Sequence, residues 1–155
     1  MIVEDEALLA LLADGLLAAE GFDTIFAAHE AEAMAHAAAA ADRIAVAVVN
    51  LHLGDEVAGQ RVIRDLRQHA PNLPVVVITG FDGEAPQADL RGLGWPTIRL
   101  HKPGGYDELV PAVLDVMEQV RTGAWPEEWR RDTDYRRGSE SASFGSHGRT
   151  KRAGL

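Results

Sequence analysis

The sequence has no cysteine, which excludes disulfides and thiolate metal sites and fits a reducing compartment. It has no apolar run of 18 residues, and no basic region precedes an apolar one at its start, so neither membrane insertion nor a signal peptide is expected. Basic residues are scarce in the body. Residues 1–120 hold 19 acidic and 7 basic side chains, net −12, while residues 121–155 hold 5 and 8, net +3. An acidic body disfavours nucleic acid as its partner, and the basic tail fits solubility as well as it fits a polyanion. Internal repeats are absent too, which leaves a 155-residue chain with room for one domain and something left over. The expectation is a soluble, cytoplasmic protein.

What is present is a strong strand signal. Residues 45–50 (A-V-A-V-V-N) run apolar into Asn50 with no polar alternation, followed by Gly54 and Asp55. That pattern suggests a strand buried on both faces of a parallel sheet, with Asn50 at its C-terminal end, where open α/β sheets place their ligands. Residues 73–79 (L-P-V-V-V-I-T) repeat the pattern and end in Thr79, and residues 97–101 end at Lys102-Pro103. Met1-Ile2-Val3 leads into Glu4-Asp5-Glu6, and residues 22–28 form a plausible second strand. Helices are expected over 7–19, closed by Gly21, and over 29–41, 60–69 and 106–120, with at most a short one within 84–93. The first of these is expected to carry acids in its first turn. Strands alternating with helices predict a doubly wound α/β domain with a five-stranded parallel sheet and helices on both faces. Residues 122–155 break the pattern. They read as a mostly disordered tail, except for a candidate short helix over 126–137 that carries Trp129 just after Trp125.

Four motifs carry a family resemblance. V-E-D-E at 3–6, V-V-N-L-H-L-G-D at 48–55, V-I-T-G at 77–80 and L-H-K-P at 100–103 each lie at a predicted strand end, in order. Over roughly residues 1–121 the chain resembles the receiver domain of bacterial two-component response regulators, of the chemotaxis-regulator kind. The resemblance implies a flavodoxin-like fold with strand order 2-1-3-4-5. It implies that Glu4, Asp5, the side chain at position 50 and the backbone carbonyl of His52 hold Mg²⁺. It further implies that Lys102 neutralises a phosphoryl group, that Thr79 moves toward it, that Gly80 leaves it room, and that Lys102-Pro103 is cis. The implied partners are a sensor histidine kinase, a phosphotransfer protein or another response regulator.

Two positions depart from the family pattern. Asn50 stands where the family has its phosphoaccepting Asp, and a carboxamide, whose nitrogen lone pair is delocalised, is a poor nucleophile. The change also removes one negative charge from a hard-cation site, so Mg²⁺ binding is expected to be weakened. Arg99 stands where the family usually has a switching aromatic, and it cannot turn inward without a partner for its charge. One reading is therefore an atypical, non-enzymatic receiver that acts by protein–protein interaction, expected to be stand-alone because residues 122–155 are too few for an output domain. The alternative is a conventional phosphoaccepting receiver carrying an Asp-to-Asn substitution. A third reading, nucleic-acid binding through the basic tail, has its own test: any salt-sensitive binding disappears when residues 122–155 are deleted, and persistence contradicts it.

Overall fold

The computed structural model describes residues 1–54, 58–82 and 84–123. The predicted helix at 126–137 and the tail lie outside the described residues. The sheet is parallel, with order β2-β1-β3-β4-β5, as the resemblance implied. Its strands are β1 (Ile2–Val3), β2 (Phe26–Ala27), β3 (Ala47–Asn50), β4 (Val75–Thr79) and β5 (Thr97–His101). The helices are α1 (Ala7–Ala19), α2 (Glu30–Ala40), α3 (Gly59–His69) and α4 (Leu109–Thr122). Among the described residues, no helix is long and apolar enough to cross a membrane.

The continuous apolar runs of β3 and β4 follow from their place in the middle of the sheet. Val49 and Val77 enter one core with Ala33 and Ala37 of α2 and Val62, Ile63 and Leu66 of α3. Val48, Val76 and Ile78 enter the other with Ala10 and Leu17 of α1 and Leu109, Val113 and Val116 of α4. A strand covered on both faces needs apolar residues at every position, and these strands have them until the last one.

Several expected boundaries move. The second strand shrinks to two residues because Phe22 is drawn into the end of α1. The N–H of Gly21 (φ 86°) donates to Ala18 O at 3.0 Å and that of Phe22 to Leu17 O at 3.1 Å, a Schellman closure. α1 has no acid in its first turn: Glu6 is the residue before the helix, and Glu4 and Asp5 precede it. His29 is the residue before α2, and Gly104–Tyr106 forms a 3₁₀ turn ahead of α4.

Between β4 and β5, where at most a short helix was expected, the described residues form the 3₁₀ turn Pro86–Ala88. Positive φ at Gly92 (76°) and Gly94 (93°) rules out a continuing helix. The carbonyls that a helix would satisfy internally are instead met by side chains of α3. Gln60 Nε2 donates to Gln87 O and to Asp89 O, both at 2.9 Å. Two turns further along the same face, the buried Arg67 guanidinium donates to Leu73 O (2.9 Å), Leu93 O (2.6 Å), Pro96 O (2.6 Å) and Thr97 Oγ1 (2.9 Å). Burial lowers its pKa to about 10, so it stays charged at neutral pH.

Removing that guanidinium strands several buried carbonyls. Arg67→Met is expected to destabilise the domain by about 3 kcal/mol or more in urea unfolding. Arg61→Ala removes an exposed pair with Glu30 (3.0 Å) and is expected to cost less than about 1 kcal/mol. Equal losses would contradict the assignment.

Candidate functional site

Sheet register brings the strand ends to one edge. Val3 pairs with Val49, so Glu4 comes level with Asn50. Thr79 pairs with His101, and Lys102 N–H donates to Thr79 O at 2.8 Å. The Lys102–Pro103 bond is cis. Glu4, Asp5, Glu6, Asn50, His52, Gly80, Phe81 and Lys102 line an open cleft of about 360 Å³ at this edge.

The centre of the cleft is the Glu4 carboxylate, 7% exposed. A carboxylate taken this far out of water needs donors. Oε1 accepts the Asn50 Nδ2–H at 3.0 Å and the Glu6 N–H at 3.2 Å. Oε2 accepts from Lys102 Nζ at 3.1 Å and, at 3.4 Å, from the Tyr106 hydroxyl. Asn50 is itself 7% exposed. Its Oδ1 accepts the His52 N–H at 3.2 Å. A backbone N–H only donates and a carboxylate only accepts, so these two neighbours fix which way the amide faces. The Asn50–Glu4 bond is charge-assisted and is worth roughly 1.5–3 kcal/mol. An aspartate in the same place would set a second anionic oxygen against Glu4 Oε1, with nothing between them.

The rest of the cleft holds this arrangement. A Cβ at Gly59 would lie 2.3 Å from Asn50 O, so the start of α3 packs directly on the end of β3. Asp5 Oδ2 accepts the Gly54 N–H at 2.8 Å. Burial pushes the Asp5 carboxyl up, but the N–H groups of Gly54 and of Asp5 itself, with Glu4 and His52, outweigh it and leave it below the ordinary carboxylate value. The His52 ring meets Phe81 edge-to-face, with centroids 5.9 Å apart.

Not every expected residue joins the cleft. Thr79 is fully buried, and its Oγ1 accepts the Phe81 N–H at 3.1 Å. Arg99 is exposed on β5 and does not line the cleft. Glu6, Phe81 and Tyr106 were not singled out in the sequence. Phe81 and Glu6 adjoin motifs that were, while Tyr106 comes from the turn before α4 and gives no local signal.

Mg²⁺ needs oxygen ligands with open lone pairs in near-octahedral array. Here Asn50 puts a neutral amide beside the acids Glu4 and Asp5, and the Lys102 ammonium already sits 3.1 Å from Glu4 Oε2, so little uncompensated negative charge is left for a cation. Among the described residues, no group of three or more His, Cys, Asp or Glu is placed to hold a metal ion. The residues as arranged do not fit a tightly held cation.

The profile of the response regulator receiver domain family matches residues 1–114. Solved structures similar to the chain include a response regulator receiver protein from Sinorhizobium medicae WSM419, at 26% identity and TM-score 0.65, with 77% of this chain and 93% of that one covered. The receiver domain of NtrX from Brucella abortus is 27% identical, with TM-score 0.62 and 76% and 96% covered. A response regulator protein from Burkholderia pseudomallei, solved with a phosphorylated aspartic acid, a calcium ion and citrate, is 26% identical, with TM-score 0.60 and 79% and 69% covered. No curated protein matches the chain.

Burial first, then the nearby charges of Glu4 and Glu6 and the Glu4 hydrogen bond, raise the Tyr106 phenol above its ordinary value. Above that ordinary value the unfolded chain releases a proton that the folded one keeps, so stability is expected to fall as pH rises through this range. Absorbance titration of phenolate should show Tyr106 ionising late, and Glu4→Gln should bring it down part of the way. No change on Glu4→Gln would contradict the contact.

Proposed function

The chain belongs to the response regulator receiver domain family, and on that footing we propose that it is an atypical, non-phosphorylatable receiver in two-component phosphorelay signalling, acting by protein–protein interaction. Its partners are a sensor histidine kinase, a phosphotransfer protein or another response regulator, met in the cytoplasm. It is not an enzyme. The receiver-like domain is taken as residues 1–121, with 122–155 as a tail.

The observation that carries the reading is Asn50 at the end of β3, its amide nitrogen donating to Glu4. A carboxylate oxygen can attack phosphorus and form an acyl phosphate, whereas an amide nitrogen engaged with a carboxylate cannot. Lys102, the residue that neutralises the phosphoryl group in the family, is committed to Glu4. The Thr79 hydroxyl is turned to the Phe81 N–H. Gly80 keeps the cleft open at the β4 end. Arg99, exposed, has no counterpart to the inward swing of an aromatic. Glu4, Asp5, Asn50 and His52 form at most a weakened Mg²⁺ site.

The retained acids, Lys102 and cleft favour one second reading, a conventional phosphoacceptor whose Asp has been replaced by Asn at position 50. The natural codon at that position separates the two.

Incubation with acetyl phosphate or phosphoramidate and Mg²⁺ is expected to leave the intact mass unchanged. A labile phosphoryl group on the natural protein, lost on changing a cleft residue, would contradict the proposal. Asn50→Asp is expected to restore labelling and to tighten Mg²⁺ by about tenfold or more in calorimetry.

A further inference from the structure

The sheet ends at β2, and the outer side of that strand is apolar. Ile25 is 39% exposed and Phe26 42%, and residues 22–28 hold no lysine, arginine or proline. A bare edge of this kind invites another strand, and native sheets protect such edges with charge, proline or a cover. At the opposite edge, β5 carries the exposed Arg99.

β2 is covered instead by two side chains of α2. Ile25 O and Ala27 O accept from the Ile2 and Glu4 N–H groups at 2.8 and 3.0 Å, so residues 25 and 27 turn their backbone toward β1. Phe26 and Ala28 therefore turn theirs outward. Phe26 O is met by His36 Nε2 at 2.9 Å, and the Ala28 N–H donates to Glu32 Oε2 at 2.7 Å. A carbonyl only accepts, so His36 Nε2 carries the proton. In a parallel ladder, one residue of the neighbouring strand donates its N–H to a carbonyl and accepts from the N–H two residues further on. His36 and Glu32 supply that donor and that acceptor from a helix. Together they stand in for one residue of a sixth strand.

Helix capping accounts for only one of the two contacts. Glu32 lies three residues after His29, whose Nδ1 accepts the Glu32 N–H at 3.4 Å, a variant of the capping box at the start of α2. His36 lies in the middle of the helix, and its ring reaches out to a different element.

We propose that Glu32 and His36 close the outer edge of the sheet, and that the strand they exclude is β2 of a second copy of this chain. The edge itself identifies that occupant. Its apolar side chains and outward backbone groups match their own copies across a two-fold axis, and the matching segment is always present at the chain's own concentration. Closure of the edge involves neither Asn50 nor the cleft, so it stands or falls apart from the proposed function.

Two double variants of the full chain separate the cap from its charge. Glu32→Ala, His36→Ala removes both edge contacts. Glu32→Gln, His36→Gln removes the same charge but keeps an acceptor and a donor at the side-chain ends. Alanine is the best helix former, so α2 is kept. Light scattering after size exclusion, over a range of concentrations, is expected to give the wild type and the glutamine pair one constant mass. The alanine pair is expected to rise with concentration to twice that mass or more, and adding Phe26→Lys is expected to bring it back. The Ala28 N–H is expected to exchange with solvent tenfold or more faster in Glu32→Ala than in the wild type. If the alanine pair does not fold, His36→Ala alone, which leaves the start of α2 intact, decides by the same rise in mass. A constant mass for the alanine variants, equal association of the glutamine pair, or association that Phe26→Lys leaves in place overturns the inference. So does unchanged exchange at Ala28, or a wild type that already pairs through β2.

Discussion

One carboxylate, sunk between two strand ends, sets the terms for everything around it. Glu4 follows β1, has almost no access to water, and is met by an amide from β3, an ammonium from beyond β5, a phenol from the turn before α4 and its own downstream N–H. Each donor comes from a separate element, so the group exists only when the sheet has its full register. The neutral Asn50 is what lets it close. With an acid there, the edge would carry three negative side chains against one lysine, and a cation would be needed to bridge them.

That closure has a functional consequence. A receiver switches when a new covalent charge moves its equilibrium between two arrangements. Holding such an equilibrium at 99:1 takes about 2.7 kcal/mol. One charge-assisted amide bond, at roughly 1.5–3 kcal/mol, is of that order. A contact of this size, made in one arrangement and lost in the other, would bias the equilibrium by about that much. The β4–β5 connection is held by the same logic of donors meeting acceptors from other elements: Gln60 and Arg67 of α3 donate to its carbonyls.

Much of this was legible in the sequence. β3 and β4 announced themselves because strands buried on both faces leave no room for polar alternation, and the polar residue that ends each run marked the functional edge. Glu4, Asp5, Asn50 and Lys102 stand just past such runs, Gly80 was named from the resemblance, and all five line one cleft. The β4–β5 connection was legible as holding at most a short helix, but not in what fixes it. Its conformation depends on side chains of α3 more than 20 residues away, and nothing local tells a helical pattern from one whose carbonyls are met elsewhere. Tyr106 was missed because its contact with Glu4 spans the whole domain. The shortened β2 reflects competition for Phe22, which the end of α1 wins.

Asn50 binds Glu4 without help from a cation. The chain has two asparagines, Asn50 and the exposed Asn72. Selective ¹⁵N labelling of asparagine therefore leaves two side-chain amide pairs to observe by NMR. In cation-free buffer, Asn50 should show one proton well separated from its geminal partner and slow to exchange, while Asn72 shows an ordinary pair. If both Asn50 protons sit at the ordinary positions and separate only when Mg²⁺ is added, the account is wrong.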